Sequence, residues 1–365
     1  MDAPFEYVFP AIRGVQAGRE YYISMCPLRL IPKIFLFDEE ELVPELRAQR
    51  VLNKARVPEI ARYITRNRAG YIFSAITASV DAEVQFSALA SGAEGSRVGL
   101  LHIPMSARFI INDGQHRRAA IEVALREAPD LGDETIAVVF FLDIGLKRCQ
   151  QMFADLNRYA IRPSRSIGVL YDHRDEPAEL ARLVVLRSPL FRDVVEMERS
   201  TLSMRSRKLF TLSAIYNATG ALVNGLDADD FEAKCEVASS FWEEVAKYFP
   251  EWHLVRERKI SAGEIRQEYI HSHGIVLQAL GKAGSALIRN PDGQWKTKLE
   301  ALKKIDWARS NTKFWEGRAM LGGRVQKADQ NVTLTTNLIK KFLSLELSPE
   351  ERRVEEAYVR GRNGN

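Results

Sequence analysis

The chain has 365 residues, 46% hydrophobic and 27% charged, with a formal net charge of +4. That length buries a large core and suggests two domains, and the composition is that of a soluble globular protein. No apolar run approaches the roughly 18 residues of a membrane span. Met1–Glu6 has neither a basic n-region nor an apolar h-region, so a cytoplasmic location is expected. The weak overall charge means that any nucleic-acid surface must come from local clustering. Three widely spaced cysteines, Cys26, Cys149 and Cys235, exclude a disulfide framework and a Cys-x-x-Cys zinc knuckle, and fit a reducing compartment.

In chain order, residues 5–12 and 20–26 read as two strands separated by Gly14 and Gly18. Cys26 closes the second. It reads as a small buried hydrophobe or, beside Arg29 and Lys33, as a reactive thiol adjacent to DNA. A helix is expected near Asp38 and another from Pro58, with Ile60, Tyr63 and Ile64 on one face. Arg50, Lys54, Arg56, Arg62, Arg66 and Arg68 form a basic group, either a solvated helix face or a phosphate-contacting one. Strands follow at 71–78, 82–87 and 98–103.

The segment Arg108–Ile121 carries the strongest functional signal. An apolar strand (Phe109, Ile110, Ile111) runs into Asn112-Asp113-Gly114, and good helix formers follow from Gln115 to Arg126. Asp113 suits an N-cap, and Gly114 permits positive φ or close backbone approach. Asp113, Gln115, His116 and Arg117 are thereby delivered to a helix N-terminus, where unpaired amides and the dipole favour anions. An ordinary capped turn is the competing reading. Thr135–Leu142 is a continuous apolar run read as a buried central strand, followed by a helix over 146–156 and a boundary at Pro163.

From residue 176 the pattern turns helical, over 177–186, 208–223, 229–249, 267–288 and 335–347. Before the second of these, Arg199–Lys208 combines four cations (Arg199, Arg205, Arg207, Lys208) with four hydroxyls and no acid, a composition suited to phosphate contacts or to a flexible exposed loop. His271 and His273, placed at i and i+2 of a helix, face apart, which argues against a zinc site, and no metal is expected. Between Lys296 and Lys341 eleven Lys/Arg stand against four acids, interleaved with Trp295, Trp307, Phe314 and Trp315. Lys303, Lys304, Arg324 and Lys327 there are candidate DNA contacts.

Asp113-Gly114-Gln115-His116-Arg117 is the DGQHR signature, and its Gly114, Arg117, Ala120 frame looks like the Gly-x-x-Arg box of ParB-like domains. The chain resembles the DndB family of DNA phosphorothioation (DNA sulfur modification) regulators. Gln49-Arg50, Leu52-Asn53, Phe153–Asn157, Gly323–Val325 and Asn331–Thr335 also match. The resemblance implies an α+β fold: a ParB/sulfiredoxin-like N-terminal domain (1–163), a mostly helical domain with a basic surface (164–347) and a charged, partly disordered tail (348–365).

Functionally, it implies a repressor of the modification-gene cluster that binds double-stranded promoter or operator DNA. Such a regulator would be a homo-oligomer, with other phosphorothioation proteins as further partners. A second reading is a nucleoside triphosphate switch with Mg²⁺. Asn112, Gly114, Gln115, Arg117, Arg118, Arg50 and Asn157 would then hold nucleotide or phosphate, and Asp113 and His116 would be catalytic. The usual Glu-Arg of that box is Gln115-His116 here, so a carboxylate is lost. A third reading is a metal-dependent DNA nickase using Asp113 and His116.

Overall fold

The computed structural model describes residues 5–35, 55–92, 94–142, 151–152, 154–156, 163–226, 230–291 and 293–363. The chain divides into two compact units, Met1–Ile161 and Arg162–Asn365. The expected helix near Asp38, and Arg50, Lys54, Cys149 and Asn157, lie outside the described residues.

The first unit is built on a seven-stranded mixed sheet of β1 (Glu6–Gln16), β2 (Arg19–Pro27), β3 (Ile76–Asp81), β4 (Gln85–Ala88), β5 (Val98–Pro104), β6 (Arg108–Asp113) and β7 (Thr135–Leu142). Their spatial order is β4-β5-β1-β2-β7-β3-β6. Ala17 and Gly18 both take positive φ, which closes the β1–β2 hairpin. Only β3 and β7 run parallel. One face supplies the core: Phe9, Ala11, Tyr22, Cys26, Ile76, Ala78, Val80, Ile136, Val138 and Phe140 are buried. Strand β7 is interior in the order, but its burial alternates, so its second face is only half covered. Residues 71–75, expected as the start of a strand, are irregular; pairing with β6 and β7 begins only at Ile76 and Thr77.

The short helix α1 (Ile31–Ile34) precedes α2 (Arg56–Arg66) and α3 (Gln115–Glu127). Helices α2 and α3 pack on each other and bury Ile64, Ile121 and Ala124 in the core under the sheet.

The second unit is helical, with its own core. Its helices are α4 (Arg165–Tyr171), α5 (Glu176–Arg187), α6 (Pro189–Val194), α7 (Leu212–Val223), α8 (Phe231–Ala246), α9 (Pro250–Arg256), α10 (Ala262–Glu268) and α11 (Gly274–Ile288). After α11 come α12 (Trp295–Lys298), α13 (Thr312–Trp315), α14 (Asp329–Phe342) and α15 (Pro349–Asn363). Helix α7 starts at Leu212 instead of 208, because Phe210–Thr211 pair with Val195–Glu196 and the Thr211 hydroxyl caps the helix by accepting from the Ala214 amide.

Two expectations are corrected here. The helix over 267–288 is broken at 269–273, where Ile270 N donates to Trp307 O and Tyr269 bridges Ala308. His271 therefore lies outside a helix, packed among Phe249, Trp252, Tyr269 and Trp307; burial lowers its pKa to about 3. Residues 348–365, expected as a partly disordered tail, are helical over Pro349–Asn363. The acids of that helix meet cations of the unit: Glu355 pairs with buried Arg318 and with half-exposed Lys341, and Glu351 with buried Lys340.

Candidate phosphate and nucleic-acid interfaces

In the first unit, β6 delivers the signature through a bulge. Thr77 pairs with Asp113 and Ala78 with Ile111, so Asn112 is the extra residue on β6. Its side chain is fully buried: Nδ2 donates to Ser79 Oγ at 2.8 Å, and Oδ1 has no partner among the described residues. The chain then turns at Gly114 with φ +108°, and this glycine is the N-cap of α3. Asp113 does not cap the helix; its carboxylate is held by Arg117 at 2.5 Å, one turn on. A Cβ on Gly114 would stand 3.0 Å from Ile76 Cγ1 and 3.1 Å from Arg117 Nη2, so only glycine fits.

The signature residues have separate tasks. Arg117 also donates to Ala75 O at 3.0 Å. It lines a groove of about 380 Å³ with Arg56, Tyr63, Ile72, Phe73 and Glu59. His116 has its pKa lowered by burial first, then by Arg56 and Arg117, with Asp113 opposing, which favours the neutral imidazole. Gln115 is buried. Arg118, expected to contact phosphate, is instead structural. Its guanidinium donates to Phe35 O at 2.9 Å, to Pro32 O at 3.1 Å and to Glu122 at 2.5 Å, which anchors the end of α1.

Cys26 also has to be corrected. It is 0% exposed on the core face of β2, and burial pushes its thiol up to about 12, so it offers neither a thiolate nor a DNA contact.

The second unit gathers cations more effectively. Segment 199–208 is not a loose loop. Ser166 Oγ donates to Arg199 O, and the Ser166 amide donates to Ser200 Oγ, both at 3.0 Å. Arg266 donates to Ser203 O at 2.6 Å and to Lys208 O. Gly263 lets the Met204 carbonyl come so close that a Cβ there would sit 2.3 Å from the oxygen.

This clamp shapes a cleft of about 920 Å³ with six cations on its walls: Arg205, Arg207, Lys208, Arg256, Arg258 and Lys259. The acids on it are Asp193 and Glu264. Asp193 pairs with Arg256, and Glu264 closes the capping box of α10 with Ser261. Arg205, Arg207 and Arg258 are exposed and have no carboxylate partner among the described residues. Arg205, Arg207 and Lys208 are the cations expected from the sequence, whereas Arg256, Arg258 and Lys259, interrupted only by Glu257, are a further signal of the same kind.

The other expected DNA contacts do not join this cleft. Arg199 is exposed outside it, while Lys303 pairs with Glu300 at 3.3 Å and lies over the Tyr248 ring. Lys304 and Arg324 are exposed elsewhere, and Lys327 stands at the start of α11. The excess charge of 296–341 is reduced because α15 neutralises Arg318, Lys340 and Lys341, and Trp307 and Trp315 are core. No group of three His, Cys, Asp or Glu placed to hold a metal occurs among the described residues.

These features define a two-unit protein, one unit carrying a glycine-centred strand-to-helix turn and the other a strongly basic cleft. The chain belongs to the DndB family: the family model described as DndB, DNA-sulfur modification-associated, matches residues 9–346. Neither the comparison with curated proteins nor that with solved structures returned a match.

Proposed function

We propose that this DndB-family chain is a double-stranded DNA-binding regulator that represses a DNA phosphorothioate modification gene cluster. The observation that carries the reading is the basic cleft: three arginines have no carboxylate partner among the described residues, and two of them, Arg205 and Arg207, stand on a segment pre-organised by Arg266. Cations held this way contact phosphates and release counterions from the duplex. Family membership gives the process, DNA sulfur modification. A homo-oligomer would match a palindromic operator.

The test is anisotropy titration of promoter and scrambled duplexes at several salt concentrations, with wild type and an Arg205→Gln/Arg207→Gln/Arg258→Gln variant. The variant should bind more weakly and lose about 0.9 from the log–log salt slope per arginine removed. Equal affinity for promoter and scrambled DNA overturns the sequence-specific regulator, and an unchanged slope overturns the cleft.

A second reading rests on the groove of the first unit, where Arg56 and Arg117 meet Tyr63 and Phe73. Cations beside aromatic rings suit the phosphates and base of a nucleotide, as the ParB-like resemblance implies. A triphosphate would bring its own Mg²⁺, which needs few protein ligands. Calorimetry with ATP and CTP on wild type and Arg117→Ala tests it; no heat with either nucleotide counts against it.

A further inference from the structure

We infer that a cavity of about 410 Å³ in the helical unit, walled by segment 200–211 and the start of α11, binds the phosphate group of a small phosphorylated ligand. It adjoins the basic cleft, sharing Met204 in its wall, but the inference does not rest on the DNA reading.

The first observation is a buried cation with no counter-charge. Arg266 lines the cavity, is 8% exposed, and donates only to the Ser203 and Lys208 carbonyls. Its Nε has no acceptor among the described residues, and burial alone lowers its pKa. A buried guanidinium is ordinarily paired with a carboxylate, because an uncompensated charge is costly in a low-dielectric site.

The second observation is that the other donors on this cavity have the same sign. Arg309 lines it and donates to the Arg266 and Gly323 carbonyls, at 3.2 and 3.1 Å, and no acidic side chain is part of the wall. Gly274, the first residue of α11, is also on the wall. Its amide and that of Ile275 have no acceptor among the described residues, and His273 gives no side-chain cap. Lys327 Nζ stands 3.7 Å from where a Gly274 Cβ would be, so the ammonium rests against the positive end of a 15-residue helix. Lys327 is exposed overall, but partial desolvation and the nearby Arg165 both disfavour its charge. The helix end and the two guanidiniums on this wall, with the Lys327 ammonium beside that helix end, meet no carboxylate among the described residues, and such a donor set suits a tetrahedral oxyanion.

The cavity is larger than one phosphate. Leu202, Leu209 and Phe210 form an apolar wall, which suits an organic group attached to the phosphate.

The experiment titrates inorganic phosphate into full-length protein by calorimetry, with thermal melts at matched ionic strength in chloride as reference. Wild type should show saturable binding. Lys327→Met and Arg309→Gln should each weaken it about tenfold or more, the loss expected for one charge-assisted contact. Arg266→Met should abolish it, with circular dichroism showing whether the fold persists; the first two variants keep the inference testable if it does not. AMP binding more tightly than phosphate supports the apolar wall as its receptor. No saturable phosphate binding by wild type, or binding unchanged in both Lys327→Met and Arg309→Gln, overturns the site. Loss on Arg205→Gln/Arg258→Gln with both pocket variants intact would assign the anion to the DNA cleft and overturn it equally.

Discussion

Removing the Glu355 carboxylate should undock the C-terminal helix from the helical unit. Arg318 and Glu355 are each 7% exposed and form a bidentate pair at 2.6 and 2.9 Å. Lys341 shares the carboxylate, Asn337 donates to it at 3.3 Å, and the Arg318 guanidinium lies 4.4 Å from the Tyr358 ring centroid. Burial by itself would raise the Glu355 pKa, but hydrogen bonds and charge from Arg318 and Lys341 outweigh it and hold the carboxyl at about 2. A shift from 4.5 to about 2 sets a ceiling of roughly 3 kcal/mol, at about 1.4 kcal/mol per unit. Lys341 is half exposed and therefore partly screened, so roughly 2 to 3 kcal/mol is expected for Glu355→Gln at pH 7. The folded pKa is depressed, so this stability is complete above about pH 4.5 and is lost as pH falls towards 2. Urea unfolding of the helical unit, followed by tryptophan fluorescence, should show wild type and variant converging by more than half between pH 7 and pH 3. A difference under about 1 kcal/mol at pH 7, or one that does not narrow by pH 3, refutes the reasoning.

Three further outcomes follow from the geometry. Gly114→Ala places a side chain at φ +108° against Ile76 and should destabilise the first unit by about 1 to 3 kcal/mol in thermal melts; an unchanged melt would contradict the turn. Gly263→Ala drives a methyl into the Met204 carbonyl and should weaken DNA binding by displacing segment 203–208, with the far-UV spectrum largely kept. Cys26 should resist maleimide labelling in native protein at pH 8 and react only after unfolding, as read by peptide mass spectrometry.

The strands of the first unit were legible because alternation of burial writes a period of two into β1, β5 and β7. The signature turn was legible because a Gly between an apolar strand and a run of helix formers has few other uses. Its internal division of labour was not. Arg117 and Arg118 are neighbours in sequence, yet one lines a groove and the other holds the carbonyls of Pro32 and Phe35, more than eighty residues away. The charge of 296–341 misled for a similar reason. The neutralising acids, Glu351 and Glu355, lie just beyond Lys341 and fold back as a helix. The break at 269–273 depends on Trp307, too distant in sequence for a helical periodicity to register.

Arg266 illustrates why the basic segment is pre-organised instead of merely charged. A run such as Arg205-Ser-Arg-Lys208 in a flexible loop would lose conformational entropy on meeting phosphate, which offsets much of the electrostatic gain. Here the carbonyls of Ser203 and Lys208 bracket the run, and one guanidinium takes both. Gly263, three residues earlier on the same helix, accepts the Met204 carbonyl between them. The backbone on both sides of Arg205 and Arg207 is thereby fixed while their side chains remain exposed. Because Arg266 itself lines the second cavity, a phosphate bound there would compensate the charge of the residue that holds the basic segment. Anion binding and the geometry of the cleft would thus share one side chain, a direct physical route by which a small phosphorylated ligand would tune DNA affinity.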